Sequence, residues 1–206
     1  MRTHVRVDLG RIAANYAAMR SACPTDFELM AVVKANAYGH GALPVSRALA
    51  ETGCGRFGVS SLEEGADLRE NGIAGEIFVL SGVLDHEADE AARLGLTPML
   101  HSRETYRAWR AAAERLGKSL PCHLHVETGM NRLGLELDEA EAVAREVAEH
   151  GRLRLEGVCT HLASAEDFDD AQSGEQIGRF RALIDKLAEA GIEPKWRHFA
   201  NSAGLA

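Results

Sequence analysis

A parallel α/β fold is what this sequence predicts: a (β/α)8 TIM-type barrel with about seven of its strands present. Three observations lead there. Short apolar runs alternate with Ala-rich amphipathic stretches along the chain. Glycines stand at the exits of those stretches (Gly53, Gly72, Gly95, Gly117, Gly151 and Gly191), where a left-handed stop is common. Polar residues recur after nearly every apolar run. The alternation implies a parallel sheet, either open and doubly wound or closed into a barrel. An open sheet concentrates its site at one switch point, whereas a barrel gathers residues from all its strand ends around one mouth. The recurrent polar residues favour the barrel. A complete barrel uses eight strands and typically about 250 residues, and 206 residues accommodate about seven units.

The elements follow in order. Val5 to Val7 reads as a short strand, and Asp8 caps a helix to about Ser21. FELMAVV, ending at Val33, is the first barrel strand, followed by a loop and a helix over about 42–51. RFGVS (56–60) is a strand, and Ser61 and Glu64 have capping-box spacing at the start of the next helix. EIFVLS (76–81) precedes a helix around 86–94, and TPMLH (97–101) a helix over about 103–116. PCHLHVE (121–127) leads through a loop to a helix around 139–149. RLEGVCTH (154–161) leads through a polar loop to a helix around 176–190, and PKWRHFA (194–200) is the last strand. No low-complexity linker divides the chain, so 1–206 reads as one incomplete barrel domain, with 1–9 as an opening strand that belongs with a second domain.

Composition narrows the class. The chain is 46% hydrophobic and 26% charged, which suits a globular core. A net charge of -8 argues against nucleic acid or an anionic membrane as the main partner. Cys23, Cys54, Cys122 and Cys159 are scattered without a CxxC pair and read as free thiols, as in a reducing cytoplasm. The start, MRTHVRVDLGR, mixes charges with apolar residues and does not read as a signal peptide, and no run approaches a membrane span. The expectation is a cytoplasmic protein.

Each strand end offers polar groups: Lys34, Ser60, Ser81, His101, then Glu127, Thr128 and Arg132, then His161, and finally Asn201 and Ser202. Singly, each is more economically a strand cap or a solvated loop residue. Jointly, they recur where barrel active sites lie. Lys34 stands out because it directly follows the apolar AVV. Such a lysine either reaches solvent at the rim or is partly desolvated and free to form a Schiff base. Gly39 and Gly41 let the backbone turn tightly and approach a ligand, and Tyr38 offers a hydroxyl within reach of a phosphate at a helix start.

Four segments then carry a specific resemblance. AVVKANAYGHGA (31–42), VETGMNRLG (126–134), THLASAED (160–167) and HFANSAG (198–204) resemble, in order, the motifs of alanine racemases, and the resemblance runs over essentially the whole chain. It implies pyridoxal 5'-phosphate as cofactor, interconversion of L- and D-alanine for peptidoglycan, and a homodimer. Carried over by residue, Lys34 would hold the cofactor and act as the base on one face of Cα. Tyr38 and Ser202 would contact the phosphate, and Asn201 a neighbouring backbone or cofactor atom. Arg132 would bind the ring hydroxyl and the substrate carboxylate, and His161 would orient an arginine under the pyridine nitrogen.

Two departures accompany the resemblance. Many members carry a carbamylated lysine where this chain has His125, and a neutral imidazole can accept one hydrogen bond from Arg132 but cannot replace an anion. The arginine under the ring, the eighth-strand phosphate contacts, and the C-terminal β domain with its opposite-face tyrosine would all lie beyond Ala206. Tyr16, Tyr38 and Tyr106 do not match that tyrosine. The expectation is therefore a chain inactive by itself. Two other readings stay open: a non-catalytic pyridoxal-phosphate-binding barrel, and a metal-dependent barrel hydrolase using His123, His125 and His161.

Overall fold

The computed structural model describes residues 4–167 and 169–205. The chain divides into two compact units, residues 1–80 with 93–96 and residues 81–92 with 97–206.

In the first unit, Asp8 accepts the Arg11 N–H and opens α1 (Leu9–Ala22), the cap its sequence predicts. β1 (Ala31–Val32), β2 (Arg56–Val59) and β3 (Glu76–Val79) pair in parallel, with Ala31 opposite Phe57 and Phe57 opposite Ile77. α3 (Ala42–Glu51) buries Val45 and Leu49, four residues apart on one face, and α4 (Leu62–Glu70) buries Leu62, Gly65 and Leu68. Phe57, Val59, Ile77 and Val79, which alternate onto one face of these strands, are fully buried; covering a side chain of this size contributes about 1.5–3 kcal/mol. Arg69 ties the loops together, donating to the carbonyls of Ile73, Gly75, Leu94 and Gly95.

Two expectations need correction here. Residues 4–8 form no strand: Val5 is 87% exposed and has no ladder partner among the described residues. Residues 1–3 of that expected strand lie outside the described residues. The first barrel strand is also shorter than FELMAVV suggests. Its ladder is confined to Ala31–Val32, and Phe27 is half exposed.

The second unit carries all but the last residue of α5 (Ala88–Arg93) and all but the first of β4 (Leu96–Leu100), then α6 (Arg103–Leu116), β5 (Leu120–His125), α7 (Leu137–His150), β6 (Leu153–Cys159), α8 (Gln172–Glu189), β7 (Trp196–His198) and a short α9 (Ser202–Leu205). β4 through β7 pair in parallel and in sequence. α6 begins with a complete capping box between Ser102 and Thr105. It buries Tyr106, Trp109, Ala112 and Ala113, and Trp109 Nε1 donates to the Pro121 carbonyl. α7 buries Ala140, Val143, Ala144 and Val147; α8 buries Gln176, Phe180, Leu183 and Leu187. α8 begins four residues earlier than its apolar pattern suggests, because its first turn is polar.

Glu156 is an extra residue in β6: Cys122 faces Leu155 while the next residue, His123, faces Gly157. A Cβ at Gly157 would overlap the His123 ring, so the glycine makes room for a buried histidine in the sheet. All four cysteines are free thiols. Among the described residues no helix is long and apolar enough to cross a membrane.

Candidate active site

The polar residues expected at strand ends fall into two groups, one per unit. In the first, Lys34 follows β1 with only Val33 between and is half-buried. The chain then turns the wrong way. Ala35, Asn36, Ala37 and Tyr38 have φ of 50°, 55°, 52° and 54°, so Lys34–Tyr38 (α2) is largely a left-handed turn. Left-handed helix costs L-residues roughly 1–2 kcal/mol each, and four non-glycine residues in a row hold that conformation only if the surroundings insist on it.

The insistence is visible. Ala37 N–H donates to the Val33 carbonyl at 2.7 Å and Gly41 N–H to the Asn36 carbonyl at 2.9 Å. The Asn36 side chain accepts the Ala42 N–H at 2.8 Å. His40 Nδ1–H donates to the Ala37 carbonyl at 2.8 Å. Gly39, at φ 87°, ends the turn in a region that suits glycine. Glu64 grips the start of the turn: its carboxylate oxygens accept the Ala35 and Ser60 N–H groups, each at 2.7 Å. Tyr38 is 62% exposed, so its hydroxyl is available to a ligand.

The second group centres on histidines. His125 is pushed down to about 4, first by burial and then by the charges of His101, His161 and Arg132, against the opposing pull of Glu127. That places these four residues within electrostatic reach of His125. Together with burial, the charges of His101, His161 and Arg132 keep the imidazole neutral. His198 is likewise pushed down to about 4, by burial and by His125. Its Nε2 lies 2.9 Å from Nδ1 of His123, one ring donating to the other. His101 Nε2–H donates to the Ser81 carbonyl at 2.8 Å.

Glu127 organises its own loop. Burial works to raise its pKa, but the backbone N–H groups of Asn131, Gly129, Met130 and Arg132 outweigh that and leave it lowered. Gln176, fully buried on α8, joins this loop to the next: its amide donates to Thr128 Oγ1 and the His161 carbonyl and accepts the Ala163 N–H. Thr128 and Thr160 share a hydrogen bond of 2.7 Å, and Arg179 donates to the Thr128 carbonyl. Arg132 is exposed, His161 half-buried, and Ser202 exposed at the first position of α9. The Asn201 side chain is turned onto the Gly204 N–H at 2.9 Å. Sequence reasoning singled out neither His198 nor Gln176. It saw Glu64 only as a helix cap.

Parallel strands joined by helices define an α/β protein of the barrel type, and one of its strands ends in a lysine at the head of a strained turn. Residues 7–206 match the family described as alanine racemase, N-terminal domain. The chain is 42% identical to an alanine racemase of Symbiobacterium thermophilum over 203 residues, 98% of this chain and 54% of that one. Among solved structures, it is similar to the alanine racemase of a D-cycloserine-producing Streptomyces lavendulae, with a TM-score of 0.90 and 33% identity over 99% of this chain and 55% of that one. It is also similar to the Bacillus anthracis alanine racemase with bound L-Ala-P, with a TM-score of 0.88 and 31% identity over 99% and 54%. The chain belongs to the alanine racemase family, in its N-terminal domain. It spans about half the length of the relatives it matches, and the α/β barrel fold the sequence predicts is theirs.

Proposed function

We propose that this chain is the pyridoxal-phosphate-binding part of an amino-acid racemase that interconverts L- and D-alanine, with Lys34 as the residue that carries the cofactor. The observation behind this is the half-buried Lys34 at the head of a strained left-handed turn, since strain of this kind persists where function requires a fixed geometry.

The donor set suits the cofactor. Lys34 supplies an amine for covalent attachment, Tyr38 and Ser202 hydroxyls for the phosphate, and Arg132 a guanidinium for the ring hydroxyl and the substrate carboxylate. His161 is assigned to orienting an arginine of the longer protein, and Asn201 to the backbone or cofactor beside Ser202. When bound, pyridoxal phosphate supplies the sink for negative charge that develops at the substrate Cα. Lys34 Nζ takes the α-proton from one face. His125 and His198, both neutral, add no positive charge that would compete with Arg132 for the carboxylate. Following the resemblance, this domain would work in a homodimer, its opening residues joining a second domain.

For the metal-dependent reading, His123 is engaged with His198, and no group of three or more His, Cys, Asp or Glu is placed to hold a metal ion among the described residues. The test of the proposal is chemical. Borohydride reduction of cofactor-loaded protein followed by peptide mapping should put the adduct on Lys34, and Lys34→Ala should abolish it. An adduct spread evenly over surface lysines would sink the reading.

A further inference from the structure

We propose that Glu64 is a positioning residue for Lys34, which rests on the reading of Lys34 as the cofactor lysine. The Glu64 carboxylate does two things at once. Oε1 accepts the N–H of Ala35, the residue immediately after Lys34, and Oε2 accepts the N–H of Ser60, the residue immediately after β2. Both contacts are 2.7 Å, at the short end of N–H···O hydrogen bonds. One rigid, planar group therefore fixes the spacing between the ends of two neighbouring strands, on the side where Lys34 emerges.

Capping α4 does not require this reach. Ser61 is the N-cap and accepts the Glu64 N–H. The contact to Ala35 spans 29 residues and leaves the helix altogether. It meets the turn where support matters most. The far end is held by Asn36 and Gly41, whereas the near end starts on the backbone N–H that Glu64 binds. Lysine carries its amine on a flexible four-carbon stem, so the protein limits where Nζ goes chiefly by fixing the lysine backbone. The place of Glu64 in the first turn of α4 also sets its carboxylate at the helix end whose dipole favours an acidic side chain.

The experiment uses the 206-residue chain and its Glu64→Ala, Glu64→Gln and Ser61→Ala variants. Two readouts are taken: the rate at which added pyridoxal phosphate forms a borohydride-trappable adduct on Lys34, and the exchange rate of the Ala35 amide. Ser61→Ala weakens the α4 cap without touching Ala35, and thermal melting reports the stability lost by each variant. Glu64→Ala should slow adduct formation on Lys34 by about tenfold to a hundredfold, the scale of a displacement near 1 Å, and speed Ala35 exchange about tenfold or more. Glu64→Gln, which keeps the shape and loses the charge, should fall between it and the parent, and Ser61→Ala should match the parent in both readouts. Adduct formation in Glu64→Ala within about twofold of the parent would overturn the proposal. So would an equal fall in Ser61→Ala, which would make Glu64 a helix cap alone. If the parent itself formed no Lys34 adduct, the cofactor reading would fail, and Ala35 exchange would still decide whether Glu64 holds the turn.

Discussion

At neutral pH the side chains of His125 and His198 carry no charge. Burial is the main force holding both near pKa 4, helped at His125 by the charges of His101, His161 and Arg132 and at His198 by that of His125. An unfolded histidine titrates near about 6.5. Between those values the unfolded chain binds more protons than the folded one, so stability is full above about pH 6.5 and is lost as the pH falls toward 4. The loss is on the order of 3 kcal/mol for each histidine and roughly twice that for the two together. The urea midpoint should therefore fall between pH 7 and pH 4.5, and His125→Gln should flatten that slope. Imidazole proton resonances of both residues that titrate above pH 6 would contradict the assignment. His125 was legible in the sequence as a departure within a motif. His198 was not, although it sits in the quoted HFANSAG segment, because its importance lies in a contact with His123 across 75 residues. Glu64 escaped for the same reason: capping-box spacing accounts for its local partner, and its second partner is distant in sequence.

Among the elements, β5 and β6 show how tightly the histidine layer is built. His123 is 1% exposed within the sheet, and its ring occupies the space a Cβ would need at Gly157. Gly157→Ala must push that ring, and with it the hydrogen bond to His198, out of place. The expected cost is about 1–3 kcal/mol, as for other insertions into a packed core. Chemical denaturation measures it, and a variant as stable as the parent would show that the sheet has slack. The strands and most helices were readable from periodicity, since Leu62, Gly65 and Leu68, or Val143 and Val147, mark one face each. The left-handed turn was not readable. Of Ala35, Asn36, Ala37 and Tyr38, only Asn tolerates that region at all well, so local preference points away from the observed backbone. The conflict between propensity and conformation is where the candidate site begins, as expected when function overrides local preference.

For the whole molecule, alternation of strands and helices predicts the fold class without any contact being known, because parallel strands require crossovers and those crossovers are helical here. The opening Val5–Val7 failed as a strand because nothing in the described chain pairs with it. Function at this scale turns on how many proton carriers the chain supplies. Racemisation removes the Cα proton from one face and returns it to the other, so it needs two placed groups. Lys34 is one. Tyrosine is the natural second, and the chain has three. Tyr16 on α1 is pushed up to about 12, first by burial and then by Cys54. Tyr106 on α6 is 1% exposed and is also raised by burial. Tyr38 is exposed, but it sits on the same turn as Lys34 and is assigned to the phosphate. The 206-residue chain loaded with cofactor should therefore exchange the alanine α-hydrogen with solvent while inverting it about 10²–10⁴-fold more slowly than full-length relatives, the usual cost of a missing acid or base. Deuterium uptake at Cα, followed alongside chiral analysis of the alanine, separates the two. Exchange with retention is the expected result, and inversion keeping pace with exchange would require a second proton carrier among these 206 residues.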